Sequence, residues 1–313
     1  GRLCEAYRRG TAIAPPETWR GAEGRVLASR LLSALGATRA GGVCAWLGWR
    51  EWPQHPQALI HAAYERMSRL GPLAAWQMLN RHEGCLVCAS AQDLAEFWLL
   101  RSQVSSVLRD FVTAERYLQQ AWTQQIEQAW WHITAARLRS AQGNHKEALD
   151  LARRCLDMRP WYWQGVHAAA CELMLLSRAD EAAELVGESL KQVESPLLAR
   201  LLAALHEDAG HHEAALEAVA RFESLSPRLE REAANWAHSS RAHALYCLGR
   251  HDEAADSLLA MRHRANEEKE AASAASLAAS ILGGRGTPAS RRLDVRFICQ
   301  EHDTCAPTSM AML

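Results

Sequence analysis

A cysteine near the end of the 313-residue chain has sequence surroundings that favour a reactive thiol. Cys305 follows Asp303 and Thr304, either of which can cap a helix, and it precedes Pro307, which suits the first turn of a helix. The amide groups at a helix N-terminus favour the thiolate, which is the nucleophilic form of cysteine. These residues predict a candidate nucleophile at Cys305. The alternative is that Cys305 is an ordinary small residue at the start of a last helix.

A second group of potentially reactive side chains lies within residues 82–88. Cys85 and Cys88 are separated by two residues and His82 lies nearby, which matches half of a zinc site. No second cysteine pair with similar spacing follows, and a turn between hairpins explains these residues adequately. We therefore expect no metal and no other cofactor; a zinc-dependent regulator that uses Cys85 and Cys88 is the alternative.

The elements that carry these residues are predicted to be helices. Apolar residues from Glu17 to Ala279 recur with helical spacing, and few β-branched runs interrupt them. The helices should end at glycines and prolines, which interrupt helical hydrogen bonding or cap it. These breaks are Gly36, Gly41, Gly42, Pro53, Pro56, Gly71, Pro72, Gly84, Gly143, Pro160, Pro196, Gly210, Pro227 and Gly249. Residues 17–279 are therefore predicted to be all-α.

A turn motif that ends in alanine returns five times along the chain. The alanines are Ala114, Ala148, Ala182, Ala215 and Ala254, at intervals of 34, 34, 33 and 39 residues. A period of about 34 residues is typical of stacked helical hairpins, each too small to bury its own apolar face. Small residues also stand twelve positions before each alanine, at Ser102, Ala136, Ala170, Ala203 and Ala242, where paired helices should approach closely. The longer interval predicts about five extra residues near positions 226–231.

This pattern resembles the tetratricopeptide repeat (TPR) family over about residues 95–262. The family's small first-helix residue, second-helix alanine and terminal proline match Ala136, Ala148 and Pro160, and then Ala203, Ala215 and Pro227. Ser177 replaces the turn glycine in one repeat. The resemblance implies a right-handed α-solenoid in residues 95–282, preceded by divergent helical hairpins in residues 1–94.

The resemblance also implies a concave groove lined by the first helix of each hairpin. The family's inward positions fall on Glu96, Gln103, Trp130, Arg137, Gln164, His167, Arg200, Trp236, His243 and Tyr246. Aromatic anchors with a few polar groups would suit an extended or helical peptide or protein partner. The alternative is that the tryptophans fill gaps between repeats and the charged groups are solvated.

The composition argues against several other kinds of partner. Lys and Arg number 35 against 36 Asp and Glu, and no basic run appears, so we expect no nucleic acid partner. No apolar run approaches the roughly 20 residues that span a bilayer, so we expect no membrane partner. The nine cysteines do not form the framework of a small secreted domain, which predicts reduced thiols and a cytoplasmic protein.

The C-terminal residues depart from the repeat pattern. Residues 283–292 are rich in Gly and Pro and predict a linker, and residues 293–297 alternate like a strand before the helix that begins near Cys305. Residues 293–313 resemble the opening of the papain-like cysteine peptidases, most of all the bacteriocin-processing group. The resemblance implies that Cys305 is the nucleophile and that Gln300 helps form the oxyanion hole.

Two departures from that peptidase pattern bear on activity. Ala306 stands where the family commonly has glycine, and the family's histidine and its orienting residue would lie beyond Leu313. We therefore expect an incomplete peptidase domain, a short strand-plus-helix remnant, that is inactive in this chain alone. Two functions follow as hypotheses: a docking arm for a papain-like peptidase, or a non-enzymatic TPR scaffold for protein–protein interaction.

Overall fold

The computed structural model describes residues 2–124, 129–261 and 268–283. Within these residues the chain forms sixteen α-helices and two short 3₁₀ helices, and no strand. The α-helices are α1 (Leu3–Ile13), α2 (Ala22–Ala34), α3 (Thr38–Glu51), α4 (Pro56–Leu70), α5 (Pro72–Arg81), α6 (Ala91–Val107), α7 (Phe111–Trp122), α8 (Ala129–Ala141), α9 (His145–Met158), α10 (Trp163–Leu175), α11 (Ala179–Gln192), α12 (Pro196–Ala209), α13 (His212–Ser224), α14 (Arg231–Cys247), α15 (His251–Leu259) and α16 (Glu268–Gly283). The 3₁₀ helices cover Pro16–Thr18 and Glu83–Cys88. The all-α prediction is confirmed for these residues.

The helices pair in sequence order into seven hairpins, from α2–α3 to α14–α15, and α16 packs on α15. Successive first helices, such as α6 and α8, also contact each other. Residue 95, where the repeat region was predicted to begin, lies inside α6. The linker predicted at residues 283–292 begins at the last residue of α16, and its remainder lies outside the described residues together with the strand-plus-helix remnant predicted at residues 293–313.

The five alanine turns share one geometry. In the α8–α9 turn, Gly143 has a φ of 81° and the amide of Asn144 donates to the carbonyl of Arg139 at 2.9 Å, which closes the end of α8. The corresponding residues with positive φ are Arg109, Ser177, Gly210 and Gly249. Each motif alanine is the fourth residue of its second helix, and all five are fully buried at 0% exposure. A side chain longer than a methyl group would push the paired helices apart.

A sixth turn of the same geometry joins α2 to α3, and it corrects the prediction that Gly41 and Gly42 end a helix. Gly36 has a φ of 82° and the amide of Ala37 donates to the carbonyl of Leu32 at 2.9 Å. Gly41 then occupies the fourth position of α3, in place of alanine. A Cβ there would lie 2.3 Å from the Ser33 Oγ, because the helices approach even more closely than in the alanine hairpins. The spacing from Gly36 to Gly41 equals that from Gly143 to Ala148, which was the signal available in the sequence.

The interval of 39 residues arises from both a longer loop and a longer helix. The loop between α13 and α14 covers residues 225–230, and α14 has 17 residues against 14 in α12. The extra residues were predicted at this place. Glu230 of this loop accepts hydrogen bonds from the N-terminal part of the chain.

The array curves until its N-terminal helices contact loops about 190 residues further along the chain. The amide of Cys4 donates to the Glu194 carboxylate at 2.8 Å. The amides of Arg39 and Ala40 donate to the two oxygens of Glu230, at 3.0 and 2.9 Å. We call this contact, between residues 2–40 and the loops at 193–195 and 225–230, the clasp. Nothing in the repeat pattern predicted it.

Candidate functional site

The predicted groove residues all lie on the first helices of hairpins, but they face two different environments. Trp130 and Arg137 are on α8, Gln164 and His167 on α10, Arg200 on α12, and Trp236, His243 and Tyr246 on α14. We call Tyr64, Trp130, Arg137, Tyr162 and His167 the central section. We call Arg200, Trp236, His243 and Tyr246 the C-terminal section.

The central section is crowded by a helix from the N-terminal hairpins. The Tyr64 phenol of α4 interacts with the indole of Trp130, and burial raises the pKa of Tyr64 to about 12. The Arg137 guanidinium lies 5.5 Å from the Trp130 ring centre, and its charge opposes the rise in the pKa of both Tyr64 and Tyr162. Sequence reasoning missed both tyrosines, because neither falls on an inward position of a matched repeat. An aromatic group with one cation therefore fills this part of the inner surface.

His167 brings an imidazole and a thiol together without making a reactive pair. The Cys171 Sγ lies 3.6 Å from the His167 Nδ1. Burial lowers the pKa of His167, and the Arg137 charge lowers it further. Burial raises the pKa of the Cys171 thiol, so the thiol stays protonated at neutral pH. The carbonyl oxygen of the Gln164 side chain is buried and accepts no hydrogen bond from the described residues.

The C-terminal section presents a cation and an aromatic ring to solvent. The Arg200 guanidinium lies 4.7 Å from the centre of the Trp236 ring, and Arg200 is exposed. The Phe222 ring meets Trp236 edge to face at 4.9 Å between ring centres, which holds the indole in place. No carboxylate of the described residues forms an ion pair with Arg200. The guanidinium edge is therefore available to a partner.

A partly open cavity of about 470 Å³ lies along the same stripe of α14. It is lined by Ser239, Ala242, His243 and Tyr246 of α14, Leu258 of α15, and Leu277, Ser280 and Ile281 of α16. Leu277 remains 53% exposed at its rim. The cavity has both apolar and polar walls and is large enough for one or two side chains. His243 and Tyr246 were predicted to face the groove, whereas the contribution of α16 was not predicted.

The residues that the sequence marked as possible metal ligands or catalytic groups form no site within the described residues. His82 packs edge to face against Trp49, with 5.3 Å between ring centres, and burial raises the pKa of the Cys85 thiol. Across the described part of the chain, no three His, Cys, Asp or Glu side chains are grouped to hold a metal ion. Gln300 and Cys305 lie outside the described residues. In the same described part, no helix has the length and apolarity needed to cross a membrane.

Comparisons with known proteins agree on the fold. No protein-family model and no curated protein matches the sequence. A tetratricopeptide repeat protein from Parabacteroides merdae ATCC 43184 matches with a TM-score of 0.50 and 13% identity, covering 78% of this chain and 90% of that one. Yeast Tom70 matches with a TM-score of 0.61 and 13% identity over 91% of this chain, which spans 59% of the Tom70 chain. At this identity the matches establish a TPR-like helical repeat fold.

Proposed function

We propose that this chain is a protein-binding scaffold that holds an extended acidic peptide segment of its partner in the C-terminal section. The observation that carries the proposal is the exposed Arg200 guanidinium stacked on Trp236. A guanidinium held flat presents its N–H groups in a fixed fork that matches a carboxylate. Stacking on the indole limits the rotamers of Arg200, so less entropy is lost when it binds.

The cavity supports a second contact in the same ligand. Trp236 and His243 are seven residues apart on α14, which corresponds to two turns or about 10.5 Å along the helix. A peptide in the polyproline II conformation covers this distance in about three residues, at about 3.1 Å each, and its side chains three positions apart lie on the same face. The proposed ligand therefore carries an Asp or Glu and, three positions away along the peptide, an apolar residue that enters the cavity.

The docking-arm role remains a separate prediction within this proposal. It rests on the resemblance of Gln300 and Cys305 to a peptidase motif. Its test is a longer chain of the parent protein: Cys305→Ala should abolish peptidase activity, and full activity in that variant would contradict the assignment of the nucleophile. A cytoplasmic location is proposed with it, supported by six cysteines outside disulfides among the described residues.

A random-peptide library selected on the 313-residue chain tests the peptide ligand. We expect enrichment of peptides with an acidic residue three positions away from an apolar residue. Fluorescence anisotropy of a selected peptide should show about tenfold weaker binding to Arg200→Ala, which corresponds to the loss of one charge-assisted contact. The peptide affinity of Arg200→Lys should fall between those of wild type and Arg200→Ala, because lysine keeps the charge but loses the planar stack.

Arg116 provides a matched control for that experiment. Its guanidinium lies 5.4 Å from the Tyr117 ring centre on α7, a second helix, and it is exposed like Arg200. Arg116→Ala should leave peptide affinity unchanged. Enrichment of basic or uncharged peptides, or an equal loss in Arg116→Ala, would contradict the proposal.

A further inference from the structure

We infer that the clasp is a releasable contact that keeps the central section covered. The inference is independent of the ligand proposed for the C-terminal section. Its first support is that the clasp caps two helices whose own residues do not cap them. Arg2 and Ala37 precede α1 and α3, and among the described residues neither side chain accepts a hydrogen bond from its helix. Glu194 and Glu230 take that role from 190 residues away.

The carboxylates lie where a helix favours negative charge. The first amides of a helix have no partner within the helix, and its N-terminus carries a partial positive charge. Glu230 bonds the second and third residues of α3 with separate oxygens, at 3.0 and 2.9 Å. A third contact, the ion pair of Arg228 with Glu17, lies between residues of the same two regions. The clasp is therefore a set of charge-assisted contacts.

The loop residues buried at the clasp include the polar Ser195 and Ser226, with Pro196 beside them. Within the described chain, α1 contains no buried residue. Tyr7 and Trp19 do pack in a small apolar cluster, but their partners Ala28 and Leu32 belong to α2, on the same side of the clasp. A polar contact of this kind separates at a lower cost than an apolar interface, and salt weakens it.

The curvature that the clasp holds is also what covers the central section. Helix α2 packs on α4, and Trp130 and Tyr162 pack on one small buried cluster. The charge of Arg30 on α2 acts on His61 of α4 and on Tyr162, which precedes α10. The Tyr64 phenol interacts with the Trp130 indole. We expect an open clasp to let α2 and α4 tilt away from α8 and α10, while each hairpin keeps its internal contacts. Release therefore uncovers Tyr64, Trp130 and Tyr162 together.

Charge exchange in the full chain tests this inference without any ligand. We expect Glu17→Arg and Arg228→Glu each to raise hydroxyl-radical oxidation of Tyr64 and Tyr162 about threefold or more, because the like charges repel. The double variant Glu17→Arg with Arg228→Glu restores the pair in reverse and should return oxidation to the wild-type level. Arg250→Glu, at an exposed ion pair with Glu253 in another turn, should leave the oxidation of both tyrosines unchanged.

Hydrogen exchange supplies the second measurement. Glu230→Gln should speed exchange of the Arg39 and Ala40 amides about fivefold, the effect of losing one helix cap. Faster exchange together with greater oxidation of Tyr64 supports a clasp that covers the central section. Faster exchange with unchanged oxidation of Tyr64, or a double variant that stays as oxidised as the single variants, overturns the inference.

Discussion

The central and C-terminal sections are built on first helices of the same kind of hairpin, yet Arg200 of the C-terminal section is exposed whereas Arg137 of the central section is half-buried. Each has a tryptophan beneath an arginine: Trp130 beneath Arg137 at 5.5 Å, and Trp236 beneath Arg200 at 4.7 Å. In the central section both residues are on α8, and Tyr64 covers the ring. In the C-terminal section the arginine comes from α12 and the tryptophan from α14.

The difference teaches that curvature, more than the position within a repeat, decides which inward residues are accessible. A superhelix that closes on itself brings inner faces from distant repeats together. The central section then contains titratable groups in apolar surroundings, which the C-terminal section lacks at Arg200 and Trp236. Substitutions in the two sections should therefore have different consequences.

The largest expected effect is a loss of stability in acid that originates at His61 of α4, the helix that also carries Tyr64. Burial, and then the charge of Arg30, lower the pKa of His61 from 6.5 to about 4. The unfolded chain therefore binds a proton at His61 before the folded chain does, and stability falls as the pH drops from 6.5 to about 4. This loss should reach at most about 3 kcal/mol.

Urea unfolding at a series of pH values measures the effect, with His61→Gln as the comparison. Between the two pKa values the variant should lose less stability than wild type, and Arg30→Ala should fall between them. Parallel curves for wild type and His61→Gln would show that the folded chain does not bury this imidazole.

The next effect compares two tyrosines that were assigned to different sections. Tyr64→Phe should cost about 1 kcal/mol, because it removes the hydroxyl that interacts with Trp130. Tyr246→Phe should cost close to nothing, because no hydrogen bond to the Tyr246 hydroxyl occurs among the described residues. Thermal unfolding of both variants makes the comparison, and equal costs would remove the distinction between the sections.

The smallest difference between the two sections is expected at their turns. Gly143 and Gly249 have φ values of 81° and 75°, and a Cβ on either would meet nothing within 4 Å. Gly143→Ala and Gly249→Ala should each cost about 1 kcal/mol, from the left-handed backbone conformation alone. Chemical denaturation of the two variants checks this. Unequal costs would mean that the sections differ in their turns as well as in their inner faces.

The sequence predicted the local part of this structure well, because the repeat is local. The alanine period placed the turns, and Ala148 and Ala215 are buried where it required. Gly41 was misinterpreted as a helix end because glycine usually interrupts a helix, whereas here it permits the closest helix contact. The better guide to Gly41 is its position in the repeat, where only a small side chain fits between the paired helices.

The candidate site was less predictable, because it depends on contacts between distant residues. The repeat period placed Arg200 and Trp236 on first helices. Their contact depends on the distance between α12 and α14, which the sequence does not contain. The cover over Trp130 comes from Tyr64, outside the matched repeats. Glu194 and Glu230 look like ordinary polar loop residues in the sequence, and no local pattern marks their partners.

The contacts of Glu194 and Glu230 also set an order for folding during synthesis. Helical hairpins form from neighbouring residues and can fold as each one leaves the ribosome. The amide of Ala40, however, meets its acceptor only after another 190 residues. At about 5 to 20 residues per second, the N-terminal helices wait roughly 10 to 40 seconds for their caps. During that interval the nascent chain is an open array whose central tyrosines and tryptophan are accessible to a chaperone or to a partner.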